Sequence, residues 1–131
     1  MEKEKLVYLY NFKQKELEKV KKESLYNLAQ IYELEANYYE AEIYYKKAID
    51  AGVKEACNQL GLMYLENKDI KKARQIFLKG EEMLDLLSMV NLALLYERSG
   101  QSVKAIELYK KAYDHGYRSK LVSKKIGVGD N

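Results

Sequence analysis

Apolar and small residues recur along this chain in two rhythms, a short one of three and four positions and a long one of 32. Leu25, Leu28, Ala29 and Tyr32 follow at intervals of three, one and three, which puts them on one face of a helix. Ala41, Tyr45 and Ala48 follow at four and three and define a second helix. Between the two lies Glu35-Ala36-Asn37-Tyr38, where Asn37 is placed to cap the second helix and Glu40, three residues on, to close a capping box. The predicted unit is a helical hairpin.

The long rhythm copies that hairpin. Leu28, Leu60 and Leu92 stand 32 apart, as do Tyr32, Tyr64 and Tyr96. Ala29, Gly61 and Ala93 keep step with them, followed by Ala41, Ala73 and Ala105, by Tyr45, Phe77 and Tyr109, and by Ala48, Gly80 and Ala112. A fixed period of this size marks stacked repeats, each completing its core against its neighbours. The small positions let helix backbones approach, and the aromatic ones fill the wedge beside them. Gly80 is read as such a close-packing residue, whereas Gly52 and Gly116 fall four residues later, where a left-handed C-cap is expected. Leu84 stands in that place in the middle unit, so its exit is expected either to lengthen a helix or to connect differently. Further breaks are predicted at Asn67-Lys68-Asp69, with Asp69 as N-cap, and at Ser99-Gly100-Gln101-Ser102, with Gly100 as the stop.

At the ends the rhythm weakens. Residues 2–22 predict a lysine-rich helix with Leu6, Leu9, Tyr10, Leu17 and Val20 on a broken stripe, the atypical end that a repeat array needs. Past the third unit a short helix is expected, with residues 127–131 fraying. The expected fold is an all-α, right-handed solenoid of three helix-turn-helix repeats with flanking cap helices. Its parts are residues 1–23 (N-terminal cap), 24–54, 55–86 and 87–118 (repeats), and 119–131 (C-terminal cap and tail).

The succession Leu-(Ala/Gly)-x-x-Tyr, an alanine nine residues on, an aromatic four later and a small residue three later resembles the tetratricopeptide repeat. The period of 32 is shorter than that family's usual ~34, and the proline that usually closes its second helix is missing. The shortened link Lys47 to Ala56 resembles Sel-one-like repeats, without the paired cysteines of that group's disulfide-rich members. The resemblance implies a non-catalytic module that docks a peptide or a segment of a partner protein in a concave groove. Transferred position by position, the groove is lined by Tyr26, Asn27 and Gln30, by Asn58, Gln59 and Leu62, and by Val90, Asn91 and Leu94. Asn27, Gln59 and Asn91 form a register ladder of amides that either binds an extended peptide backbone or bonds neighbouring repeats. Tyr26, Asn58 and Val90 stand where carboxylate-clamping relatives carry a key lysine, so that mode is not expected.

Composition narrows the alternatives. The 131 residues carry 23 basic and 20 acidic side chains, a net +3, which provides no large drive toward nucleic acid or an anionic membrane. Lys46-Lys47, Lys71-Lys72 and Lys110-Lys111 fall on second helices, where charge pairs usually meet solvent. The longest apolar run near the start, Leu6 to Tyr10, is too short to span a membrane. The lone Cys57 fits a reducing, cytoplasmic setting, and with His115 it is too little for a metal site or a Cys-His nucleophile. No cofactor is expected. Thirteen tyrosines are read mainly as core wedges at positions 32, 45, 64, 96 and 109. The structural alternative to partner binding is self-assembly, in which the terminal apolar faces stack on a second copy.

Overall fold

The computed structural model describes residues 2–129, which form seven helices and no strand. In chain order these are α1 (Glu2–Leu34), α2 (Tyr38–Asp50), α3 (Glu55–Glu66), α4 (Ile70–Glu82), α5 (Leu86–Arg98), α6 (Ser102–Asp114) and α7 (Lys120–Ile126). They divide into two compact units, one reaching to Val53 and one starting at Lys54. The absence of proline and the supply of Leu, Ala, Glu and Lys favour helix throughout.

In the first unit α2 folds back on the C-terminal part of α1, and Ala29, Ala41, Tyr45 and Ala48 are fully buried. The lysine-rich N-terminal segment is helical as expected, but it is not a separate element. It runs without a break into the first helix of the first repeat, giving 33 continuous residues. At the register position where the later links turn at Gly52, Leu84 and Gly116, α1 carries Val20, a β-branched residue that resists a left-handed turn. Residues 2–24 are exposed along their whole length.

Every turn from Ala36 to Gly116 uses one device. Ala36, Lys68 and Gly100 within hairpins, and Gly52, Leu84 and Gly116 between them, all take positive φ, from 61° to 107°. The residue after each donates its N–H back to a carbonyl five residues earlier. The bonds Asn37 to Tyr32 (2.8 Å), Asp69 to Tyr64 (2.9 Å) and Gln101 to Tyr96 (2.8 Å) close the hairpins, and Val53 to Ala48 (2.9 Å), Asp85 to Gly80 (2.8 Å) and Tyr117 to Ala112 (2.9 Å) close the links. The middle link therefore does not lengthen a helix: Leu84 adopts the left-handed conformation at φ 61° that its neighbours give to glycine.

The caps divide. Asp69 accepts from Lys72 N at 3.1 Å, Asp85 from Ser88 N at 3.1 Å, and Ser119 from Val122 N at 3.1 Å. Asn37 occupies the N-cap position of α2, but its side chain makes no cap bond and donates to Glu35 at 3.4 Å, so the expected capping box is not formed. The backbone bond to Tyr32 fixes that turn instead.

In the second unit α3 pairs with α4 and α5 with α6, and α4 packs on α5 to join the hairpins. Leu60, Phe77, Met89, Leu92 and Tyr109 are completely buried there. Burial of side chains this large stabilises by roughly 1.5–3 kcal/mol each. The two buried glycines set the approach distance. A Cβ on Gly61 would overlap the Phe77 ring, and one on Gly80 would overlap Ser88 and touch Cys57 Cβ at 3.0 Å. Gly80 is thus a packing residue, as its register implies. α7 closes the unit by burying Val122 and by an ion pair of 3.0 Å from Lys125 to Glu97.

Candidate functional site

The residues transferred to a groove fall into distinct environments. In the first unit Asn27 is exposed, while Tyr26 and Gln30 are half-buried and joined to each other, Gln30 Nε2 to Tyr26 Oη at 3.5 Å. In the second unit Gln59, Leu62, Asn91 and Leu94 are half-buried and Asn58 and Val90 are buried. Burial withdraws Asn58 and Val90 from any displayed surface, because both point into the packed unit. Asn91 Nδ2 donates to Asn58 Oδ1 at 2.6 Å, a bond between α5 and α3. That bond joins a member of the register ladder, Asn91, to a residue one position off it, Asn58, and it satisfies a buried amide that would otherwise be costly.

The tyrosines also divide. Tyr45, Tyr64 and Tyr109 are buried, but Tyr32 and Tyr96 are only half-buried. Tyr32 stacks on Tyr44 at 5.5 Å between centroids, and Lys104 lies 5.5 Å over the Tyr96 ring. Tyr45 Oη donates to Glu33 at 2.5 Å. The Tyr109 hydroxyl is buried beside Glu97 without a hydrogen bond of good geometry, and that carboxylate accepts from Lys125 at 3.0 Å. Burial first, then the neighbouring carboxylate, pushes both phenols above their ordinary range.

The basic pairs are largely neutralised in place. Lys46 bonds Glu42 at 2.9 Å, Lys72 reaches Asp69 at 4.0 Å and Lys111 reaches Glu81 at 3.9 Å, while Lys47 lies over Tyr44 at 5.0 Å. Cys57 is buried, its thiol donates to the Met83 sulfur at 3.7 Å, and burial pushes its pKa up to about 11. It is poorly suited to nucleophilic work at neutral pH. Among the described residues no group of three or more His, Cys, Asp or Glu side chains is placed to hold a metal ion. No helix among them is long and apolar enough to cross a membrane.

A groove the register does not announce opens at the turn edge of the second unit. Its volume is about 550 Å³, with Leu65, Ile70 and Leu95 as the apolar lining and Lys68, Arg74 and Arg98 as its cations. Among the described residues none of these three cations is within ion-pairing distance of a carboxylate. The groove continues the face that the sequence picked out: Gln59, Leu62 and Leu65 succeed one another every three residues on α3, and Asn91, Leu94 and Arg98 at three and four on α5. A signal for it lies in the repeats themselves. Where the first and third carry Glu33 and Glu97 the second carries Leu65, and where the first carries Glu42 the second carries Arg74. The middle repeat exchanges acids for an apolar residue and a cation. A second cavity of about 350 Å³, between α4, α5 and α6, holds Lys104 and Lys111 against Glu81 and Glu107 and is balanced in charge.

A family model described as tetratricopeptide repeat matches residues 22–51 and 54–83, and a second model of the same description matches residues 88–120. Together the three segments cover more than half of the chain. Among solved structures, a Sel1 repeat protein from Oxalobacter formigenes is similar with a TM-score of 0.69 and 24% identity. The similarity covers 81% of this chain and 47% of that one, so the chain spans about half the length of that relative. A search of the curated proteins found no match.

Proposed function

This chain belongs to the tetratricopeptide repeat superfamily, and from that premise we propose that it is a non-catalytic module that docks a segment of a partner protein on the first-helix face of its repeats. The observation that carries the reading is the groove of Leu65, Ile70 and Leu95 under Lys68, Arg74 and Arg98, three cations that have no carboxylate within ion-pairing distance among the described residues. An apolar lining with such cations suits a peptide that alternates apolar and acidic side chains. The apolar residues supply burial, and the cations supply orientation and a faster encounter. Gln59, Leu62, Asn91 and Leu94, on the same faces one and two turns away, extend the surface along the peptide. Receptor ordering costs little, because the helices hold these side chains before the ligand arrives.

The test is selection from a random peptide display library with the purified full chain, followed by anisotropy titration of the selected sequences. Enrichment of acidic-apolar peptides, with at least tenfold weaker binding to an Arg74→Glu/Arg98→Glu variant of unchanged helicity, is the expected result. Selected peptides that bind wild type and variant alike would overturn the groove assignment. Selection of no peptide, with tight and steeply salt-dependent binding to bare RNA instead, would overturn the protein-binding reading itself.

A further inference from the structure

The long helix α1 carries a surface that nothing in its own unit covers. From Leu6 the chain places Tyr10, Lys13, Leu17 and Val20 at alternating spacings of four and three. The same alternation continues without interruption to Ser24, Asn27, Ile31 and Leu34. Six of these nine positions, Leu6, Tyr10, Leu17, Val20, Ile31 and Leu34, are apolar or aromatic, so a seam of 3.5-residue spacing runs along the helix, interrupted by Lys13 in its first half and by Ser24 and Asn27 in its second. Every one of these positions is exposed, with Leu6 at 66%, Leu17 at 49%, Val20 at 55% and Ile31 at 50%. Lys15, Lys19 and Lys22 lie on the opposite side of the helix by spacing, and Tyr8 and Phe12 lie outside the seam.

The repeat register says what belongs on this face. Ile31 corresponds to Met63 and Leu95, which are 1% and 7% exposed inside the second unit. In the second unit the first helix α5 is covered by α4, the second helix of the hairpin before it. Residues 6–18 stand 32 positions before α2 and so hold the register of that covering helix, but α1 continues straight through Val20 and carries them away from the face they would cover. One chain therefore has both an uncovered first-helix face and a displaced covering segment.

We propose that two copies of this chain pair through α1 in an antiparallel, isologous coiled coil, each placing its N-terminal half on the other's C-terminal half. Between Leu6 and Ile31 the seam is self-complementary when read in opposite directions, while Leu34 falls opposite Lys3 of the second copy. With the twofold axis between Leu17 and Val20, Leu17 packs on Val20 of the second copy and Leu6 on Ile31 of the second copy. Polar positions meet polar ones: Tyr10 faces Asn27 of the second copy and Lys13 faces its Ser24. A twofold pairing of one surface with itself closes the assembly at two chains. The attraction is apolar, because Glu16 would stand near Glu23 of the second copy. This pairing is independent of the groove in the second unit.

Sedimentation equilibrium on the full chain tests it, with a Leu17→Lys/Val20→Lys variant and the Arg74→Glu/Arg98→Glu variant in parallel. A reversible dimer of wild type and of the arginine variant is expected, with at least tenfold weaker association for the seam variant at unchanged helicity. A wild type that stays monomeric at every concentration, or a seam variant that dimerises like wild type, would overturn the proposal. Orientation is read by mixing Leu6→Cys and Ile31→Cys chains under oxidation. A disulfide between the two kinds of chain is expected, and efficient self-crosslinking of Leu6→Cys alone would show parallel pairing and overturn it.

Discussion

The Tyr45 hydroxyl donates to the Glu33 carboxylate at 2.5 Å, tying α2 to α1 within the first hairpin. The two positions change together along the chain: Tyr45 with Glu33, Phe77 with Leu65, Tyr109 with Glu97. A phenol accompanies a carboxylate, and where the hydroxyl is lost the carboxylate is lost with it. Tyr45→Phe should destabilise by ~1–3 kcal/mol, because it leaves a half-buried carboxylate without its donor. The double change Tyr45→Phe/Glu33→Leu, which copies the middle repeat, should recover at least half of that loss. A urea-unfolding cycle measures the coupling, and purely additive effects of the two changes would refute it.

The same hydroxyls set an alkaline limit. Tyr45 and Tyr109 have raised pKa values because of burial, then the nearby carboxylates, while unfolded tyrosine titrates near 10.0. The folded state holds protons that the unfolded state has released, so stability is complete below about pH 10 and falls as the pH rises further. Cys57, pushed up to about 11 from 9.0, adds a smaller decline that starts one unit earlier. The melting temperature of wild type should drop between pH 10 and 11.5, and that of Tyr45→Phe/Tyr109→Phe should drop less over the same interval.

At acid pH the sign reverses for Glu97. Lys125 first, then Tyr109, holds its carboxyl below the ordinary value of 4.5, so its contribution is present above that value and fades as the pH falls through it. The pair is partly solvated and is worth under about 1 kcal/mol. Hydrogen exchange should show the α7 amides less protected at pH 3.5 than at pH 6, and Lys125→Met should remove most of that difference.

Substituting alanine for the buried glycines should work against helix propensity. Alanine is favoured over glycine by up to about 1 kcal/mol in a helix interior. Yet Gly61→Ala should lose ~1–3 kcal/mol net, since its methyl overlaps the Phe77 ring, and Gly80→Ala should do the same against Ser88. Gly61→Ala/Phe77→Leu should melt above Gly61→Ala alone, which thermal unfolding resolves. No rescue would mean that the ring is not the obstacle.

At the turns the expected sign is opposite. Ala36 sits at φ 61° in an exposed position, so Ala36→Gly should stabilise by up to ~1 kcal/mol, the left-handed strain outweighing the added freedom of the unfolded chain. Gly100→Ala, at φ 78° with open space around its Cβ position, should destabilise by a similar amount. Denaturant midpoints of both variants decide it.

Much of this fold is legible in the sequence because one unit is written three times. Leu28, Ala29, Tyr45 and Ala48 need only their spacing to define a hairpin, and Asp69 and Gly100 mark its ends by chemistry that acts within a few residues. What escapes are choices settled by competition. Asn37 has the right side chain for a cap, but its amide turns to Glu35 and a backbone bond serves the turn. Leu84 shows that a link can keep its geometry without its glycine. Asn91 keeps step with Asn27 and Gln59 but bonds Asn58, because proximity across α3 and α5 outweighs register. The groove of Lys68, Arg74 and Arg98 draws on three separate segments, so no local motif announces it.

Cys57, sealed beneath Gly80 and Met83 with its proton held to about pH 11, is invisible to a thiol reagent while α3 and α4 stay together. The rate at which such a reagent labels the native chain is therefore a clock for the opening of the second unit. Because this is the chain's only thiol, that clock needs no engineered probe.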